Sequence, residues 1–152
     1  MKQKFINAYM EVAKTFANLS TAVRLQVGAI VVKDDRIISI GYNGMPSGWD
    51  NCCEYEEEVL MSEFGKESWL EKTGQLKTKA EVLHAEANAV SKLARSPESA
   101  EGATIFITHA PCIDCAKLIY QSGIATVYYE SDYRSTQGID FLNKSGIQVV
   151  KV

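Results

Sequence analysis

Between residues 5 and 16 apolar side chains return every three or four positions: Phe5, Ile6, Tyr9, Val12, Ala13 and Phe16. That spacing predicts an amphipathic helix with one face buried. After Ser20-Thr21 the pattern changes. Val27 to Val32 is apolar and β-branched, Asp34-Asp35 supplies a turn, and Arg36 to Tyr42 carries three isoleucines, so a β-hairpin is predicted. In the second half, Ala89, Val90, Leu93 and Ala94 give a helical stripe over His84 to Ala94, stopped by Ser96-Pro97. Thr104 to Thr108 reads as a short strand. A helix follows over Cys112 to Ser122, with Pro111 at its first turn and Gly123 where left-handed C-caps lie. Ala125 to Tyr129 reads as another strand, and a helical turn around Gly138 to Ser145 leads into Ile147 to Val150. Alternating strands and helices predict an α/β fold, a mixed sheet covered by helices.

Two stretches break the periodicity. Gly41 to Gly48 (GYNGMPSG) holds three glycines and a proline in eight residues, and is expected to be a shaped loop at a strand end, of the kind that holds ligands. From Trp49 to about Lys79 the chain turns acidic, with Glu54, Glu56, Glu57 and Glu58 clustered before Val59, Leu60 and Phe64; this reads as an insertion containing a short helix. With 152 residues, 46% hydrophobic and 23% charged, the chain suits one core, so residues 1–152 are expected to be a single domain. The first 20 residues lack the continuous apolar core of a signal peptide, and no run approaches the roughly 20 apolar residues of a membrane span. A soluble cytoplasmic protein without a membrane partner is expected. A net charge of -3 argues against a polyanion-binding face, so nucleic acid is not expected as a partner and a small-molecule substrate is.

Four cysteines and two histidines carry the chemistry. His84-Ala85-Glu86 is followed, 26 residues after Glu86, by Cys112 of the run Pro111-Cys112-Ile113-Asp114-Cys115. His84, Cys112 and Cys115 make three zinc-ligating side chains, and three protein ligands leave tetrahedral zinc one position for water, the arrangement of a catalytic site. Both halves fall at predicted helix starts, where unpaired N–H groups and the positive end of the dipole favour thiolate over thiol. The metal acidifies its water, and Glu86 is the residue placed to take the proton. On spacing alone a structural site with Cys52 or Cys53 as fourth ligand stays open. A structural site has no use for a carboxylate two residues from its histidine, and H-x-E with P-C-x-x-C is the signature of zinc deaminases.

Four stretches extend the match: Val27-Gly28-Ala29-Ile30-Val31-Val32; Gly41-Tyr42-Asn43-Gly44 with Pro46 and Gly48; His84-Ala85-Glu86-Ala87-Asn88-Ala89; and Pro111 to Ile119 running on to Gly123-Ile124. On these the chain resembles the cytidine and deoxycytidylate deaminase superfamily, and within it the deoxycytidylate (dCMP) deaminases. The resemblance implies a three-layer α/β/α fold with a five-stranded mixed sheet, and zinc-dependent hydrolysis of dCMP to dUMP and ammonia, supplying dUMP for thymidylate synthesis. It implies zinc on His84, Cys112 and Cys115, Glu86 shuttling the proton, and commonly a homohexamer. It also implies activation by dCTP and inhibition by dTTP, with Mg2+ accompanying a triphosphate effector.

Substrate contacts are expected from Arg24, whose guanidinium matches phosphate oxygens, from Val27 beside the base, and from Asn43 on a sugar hydroxyl. The Ala85 N–H is expected at the pyrimidine, and Tyr129 and Ser131, with Tyr133, at a strand end where substrate loops sit. Effector contacts are expected from Gly41, Tyr42 and Gly44, and from Asn88, Lys92 and Arg95, which share one helix face. Other pyrimidine deaminases, a tRNA adenosine deaminase and a non-catalytic zinc module are the competing readings.

Overall fold

A computed structural model describes residues 1–152. The first stripe forms α1 (Gln3–Ala17), and the hairpin that follows is β1 (Gly28–Lys33) and β2 (Arg36–Tyr42). Its two-residue turn is Asp34-Asp35, both at positive φ (49° and 57°), the twist that matches the flanking strands. The second half supplies α2 (Ala85–Leu93), β5 (Thr104–His109), α3 (Ile113–Gln121), β6 (Thr126–Ser131), α4 (Gln137–Lys144) and β7 (Gln148–Lys151). The five-stranded sheet runs β2-β1-β5-β6-β7, antiparallel across β2, β1 and β5, and parallel across β5, β6 and β7.

Alternate residues of the central strands enter two different cores, which is why those strands read as continuous apolar runs. Ile30, Val32, Phe106 and Tyr128 face α1, where Ile6, Met10 and Ala13 close over them and Phe106 lies between the rings of Tyr9 and Tyr128. Ala29, Val31, Ile105, Ile107 and Val127 face the other way, against Ala85 and Ala89 of α2, Ala116 and Ile119 of α3, and Leu142 of α4. The layers are therefore α1, sheet, and α2 with α3 and α4, as expected for this α/β class.

The acidic stretch corrects the sequence reading. It holds no helix: β3 (Glu54–Met61) and β4 (Trp69–Thr78) form a separate two-stranded hairpin. Its strands are held by a backbone ladder between residues far apart in sequence, and charge pairs accompany it. Glu56 meets Lys72 at 3.5 Å and Glu57 meets Lys77 at 3.6 Å, so the glutamates are balanced by lysines on the returning strand rather than along a helix. Gly41 and Tyr42 also belong to strand β2 and not to an irregular loop. No helix is long and apolar enough to cross a membrane.

Candidate active site

His84 and Cys112 occupy equivalent places, the N-caps of α2 and α3, each in extended backbone just before the first turn. Two features fix His84. Gly44 and Leu83 exchange backbone hydrogen bonds (3.1 and 2.8 Å), pinning the residue before it. Gly41 lies so close to α2 that a Cβ there would stand 2.1 Å from the Ala85 carbonyl oxygen, so only glycine permits the approach. On the other half, Gly138 of α4 presses on the Pro111-Cys112 backbone, with an added Cβ only 2.0 Å from the Pro111 oxygen. Both ligand-bearing turns are thus placed by backbone-to-backbone contact.

The result is a cluster in which the ligand atoms of His84, Cys112 and Cys115 all lie within 4.8 Å of one another. His84 Nδ1 is 3.6 Å from Cys112 Sγ and 3.4 Å from Cys115 Sγ. Nitrogen at about 2.0 Å and sulfur at about 2.3 Å from one tetrahedral zinc stand roughly 3.5 to 3.8 Å apart, so these separations fit the ion. The electrostatics agree. The Cys112 pKa is lowered to about 4, because Cys115 and then His84 hydrogen-bond to its sulfur; Cys115 is pushed up, since it holds its proton against that thiolate and is buried. His84 is raised by the same hydrogen bond. A divalent cation among them replaces those protons and satisfies all three groups. Cys52 and Cys53 lie outside this cluster: Cys53 contacts Thr21 and the Asn51 carbonyl, Cys52 the Glu54 carbonyl. No fourth protein ligand closes the site.

Glu86, in the first turn of α2, is buried and has its pKa raised to about 7 by that burial. It faces a cleft of about 680 Å³ that also receives His84, Ala85 and Cys112. Arg24, Val27, Asn43 and Ser131 line the same cleft, as expected. The Asn43 amide has local duties: its Oδ1 accepts from Val27 N (2.8 Å) and its Nδ2 donates to Leu25 O (2.8 Å), which holds the segment leading into β1. Tyr129 is a correction. It is buried in β6, on the side-chain phase of Val127, and does not reach the cleft. Ser131 has the same side-chain phase but stands at the end of β6, where it borders the cleft, with Asp132, Tyr133 and Arg134 beyond it.

Several wall residues were not singled out from sequence: Glu54, Tyr55, Lys77, Thr78, His109 and Arg134. The hairpin brings the first four. Buried Glu54 accepts from the backbone N–H of Val23 (3.0 Å) and Arg24 (3.1 Å), and Arg24 Nη1 donates to Thr78 Oγ1 (2.9 Å). No local signal marked them, since their partners lie about 30 and about 50 residues away. Of the expected effector residues, Asn88 Nδ2 donates to Tyr42 O (2.9 Å) and Lys92 Nζ to Ile40 O (2.8 Å), tying α2 to β2, while Arg95 is exposed past the end of α2.

Residues 3–131 match the profile described as the cytidine and deoxycytidylate deaminase zinc-binding region. A crystal structure of dCMP deaminase from the cyanophage S-TIM5, in complex with dCMP and dUMP, superposes with a TM-score of 0.86 at 44% identity, covering 100% of this chain and 99% of that one. Among curated relatives, the deoxycytidylate deaminase of Enterobacteria phage T4 is 34% identical over 94% of this chain and 87% of its own length. The ComE operon protein 2 of Bacillus subtilis is 35% identical over 95% of this chain and 69% of its own.

Proposed function

Because the chain belongs to the cytidine and deoxycytidylate deaminase family, we propose that it hydrolyses dCMP to dUMP and ammonia in the cleft between α2, α3 and the β3–β4 hairpin. The observation that carries the reading is a buried carboxylic acid, Glu86, beside a three-ligand cluster that no fourth side chain closes. His84, Cys112 and Cys115 would hold zinc, which when bound acidifies water and polarises it for attack. Glu86 sits where its carboxylate takes the proton of that water as the oxygen adds to C4. It delivers that proton to N3, then takes the second proton from the hydroxyl now on C4 and gives it to the amine, so that C4=O forms as the C4–N bond breaks and ammonia leaves. Burial raises the Glu86 carboxyl above the usual carboxylate range in the metal-free chain, which favours a residue that holds a proton as well as taking one.

The rest of the wall orients the nucleotide. The Ala85 N–H lies in the first turn of α2, without an intrahelical acceptor, and is free to donate to the pyrimidine carbonyl. Val27 flanks the base, and Asn43 keeps one Oδ1 lone pair for a sugar hydroxyl. Arg24 takes the 5′-phosphate, with Lys77 and Arg134 as further cations on the same cleft and Ser131 beside them. Regulation by dCTP and dTTP belongs to the same reading: Asn88 and Lys92 join the helix bearing Glu86 to the carbonyls of β2, so a nucleotide at Gly41, Tyr42 and Gly44 would act on Glu86 through them. Assembly into a homohexamer, supported by exposed Leu83 and Leu118, which border one shallow hollow between α2 and α3, completes it.

Ultraviolet-monitored deamination by the zinc-loaded protein tests the proposal. We expect turnover of dCMP, little of deoxycytidine, and a loss of about 10³-fold or more in Glu86→Gln with zinc content unchanged. Equal turnover of both substrates would remove phosphate recognition; turnover of neither would remove the deaminase reading.

A further inference from the structure

His109 closes β5 and lines the cleft three residues before Cys112. Nothing in the zinc cluster needs it. Its Nδ1 lies 3.1 Å from Thr108 Oγ1, and that hydroxyl in turn accepts from the Gly28 backbone N–H at 3.1 Å. Thr108 is 4% exposed, and its hydroxyl makes only these two hydrogen bonds. A hydroxyl has one proton to give. The Gly28 contact uses a lone pair, so the proton has a single acceptor in reach, His109 Nδ1. The reverse arrangement, Nδ1–H donating to Thr108, would leave a buried hydroxyl proton unpaired, which is the costlier state. Backbone geometry holds the ring in place: His109 pairs with Ser131 in the parallel register, and Ala110 N donates to Ser131 O at 2.8 Å.

We infer that Thr108 locks His109 as the neutral tautomer protonated on Nε2, and that this N–H is a specificity-determining donor to an oxygen of the bound nucleotide. Nε2 has no hydrogen-bond partner in the protein, and the ring borders the space that receives substrate. Burial also holds the His109 pKa below its ordinary 6.5, against the opposing charge of Glu130, so the ring enters the cleft uncharged. A neutral donor of fixed direction selects by geometry, whereas the nearby Arg24 and Arg134 select by charge. The inference rests on the deaminase reading for the identity of the ligand, but its test does not depend on turnover.

The experiment uses zinc-loaded protein labelled with ¹⁵N-histidine at pH 7.5, with dUMP as the probe because it does not react. The chain has two histidines, so the Gln variant of His109 assigns the spectrum. We expect a bare Nδ1 and a protonated Nε2, with the Nε2 proton moving downfield as dUMP saturates. Thr108→Val should release the lock and show both tautomers, and Thr108→Ser, which keeps the hydroxyl, should retain it. In kinetics with dCMP, His109→Leu should raise KM about five- to tenfold with kcat within about twofold, and His109→Gln, whose amide N–H reaches to a similar point, should recover most of the loss. An Nδ1-protonated ring, an Nε2 proton indifferent to dUMP, or an unchanged KM in His109→Leu would each overturn the inference while wild-type turnover left the deaminase reading standing. Failure of wild-type turnover would remove that reading and leave the spectra to decide this one.

Discussion

The zinc-ligand side of the cleft rests on the five-stranded sheet, whereas the facing wall is the β3–β4 hairpin, and the two are secured by different kinds of interaction. On the sheet side, α2 and α3 bury apolar faces against strands that are themselves buried on both sides, and glycines at 41 and 138 let backbones meet without intervening side chains. The hairpin contributes almost nothing to either core. Val59, Leu60, Leu70 and Phe64 are all exposed, and beyond a small cluster of Cys53 with Ala22 and Val82 at its base the hairpin's tie to the body is polar: Glu54 on two backbone N–H groups and Thr78 on Arg24. Close packing fixes geometry to a fraction of an ångström, while a few hydrogen bonds fix only approximate placement. Chemistry that depends on ligand angles therefore lies on the packed side, and contacts that admit adjustment lie on the other.

The comparison can be tested from its strongest side downward. The largest effect should come from Glu86. In protein stripped of zinc, burial raises its pKa from the ordinary 4.5 to about 7. Between those values the folded chain keeps a proton the unfolded chain has lost, so stability falls as pH rises. The neutral-acid advantage is complete below about 4.5 and gone above about 7, a difference of about 3 kcal/mol. Denaturant titrations of wild type and Glu86→Gln across that window should diverge by this amount; parallel curves would place Glu86 in water.

Gly138→Ala comes next. Alanine favours a helix over glycine by about 1 kcal/mol, but a Cβ 2.0 Å from the Pro111 oxygen forces the Cys112 turn to shift, at roughly 1–3 kcal/mol. The clash should win, seen as a lowered Tm and weaker zinc retention against a chelator; a stabilised variant would show that the contact relaxes freely. Glu54→Ala on the hairpin side should cost about 1–2 kcal/mol, the loss of two charge-assisted bonds, and raise KM for dCMP with kcat little changed. A fall in kcat instead would mean that the hairpin holds reacting groups. Phe64→Ser, at the fully exposed tip, should stay within about 0.5 kcal/mol by thermal melting. A larger loss, together with a smaller mass by sedimentation, would show a second copy seated on the tip.

Legibility in the sequence divides along the same line. The zinc cluster and Glu86 were readable because each half is local, three residues around His84 and four from Cys112 to Cys115, and each opens a helix with a recognisable start. The sheet was readable because both faces are buried and its strands stand out as apolar runs. The hairpin was not, since a run of glutamates has the same composition on a helix as on a strand, and the returning strand it pairs with, with the lysines that meet Glu56 and Glu57, lies 16 to 20 residues on. Tyr129 failed for a related reason: it shares its side-chain phase with Ser131 but lies two residues inside β6, paired with Ile107 and Lys151, while Ser131 at the strand's end borders the cleft. The sequence left the role of His109 open although a motif stands beside it, because its orientation is set by a hydroxyl bonded to Gly28, 80 residues earlier.

The two glycine contacts bear on how such a site can change. Because the ligand-bearing turns are spaced by main chain alone, residues 54–55, 77–78 and 131–134 can be exchanged without touching what spaces the metal. A library confined to those wall positions should yield mostly members that still capture zinc, with diversity appearing in which cytosine-bearing molecule they accept. In a lineage, the same separation would let substrate preference drift by single substitutions while the hydrolytic step was inherited intact.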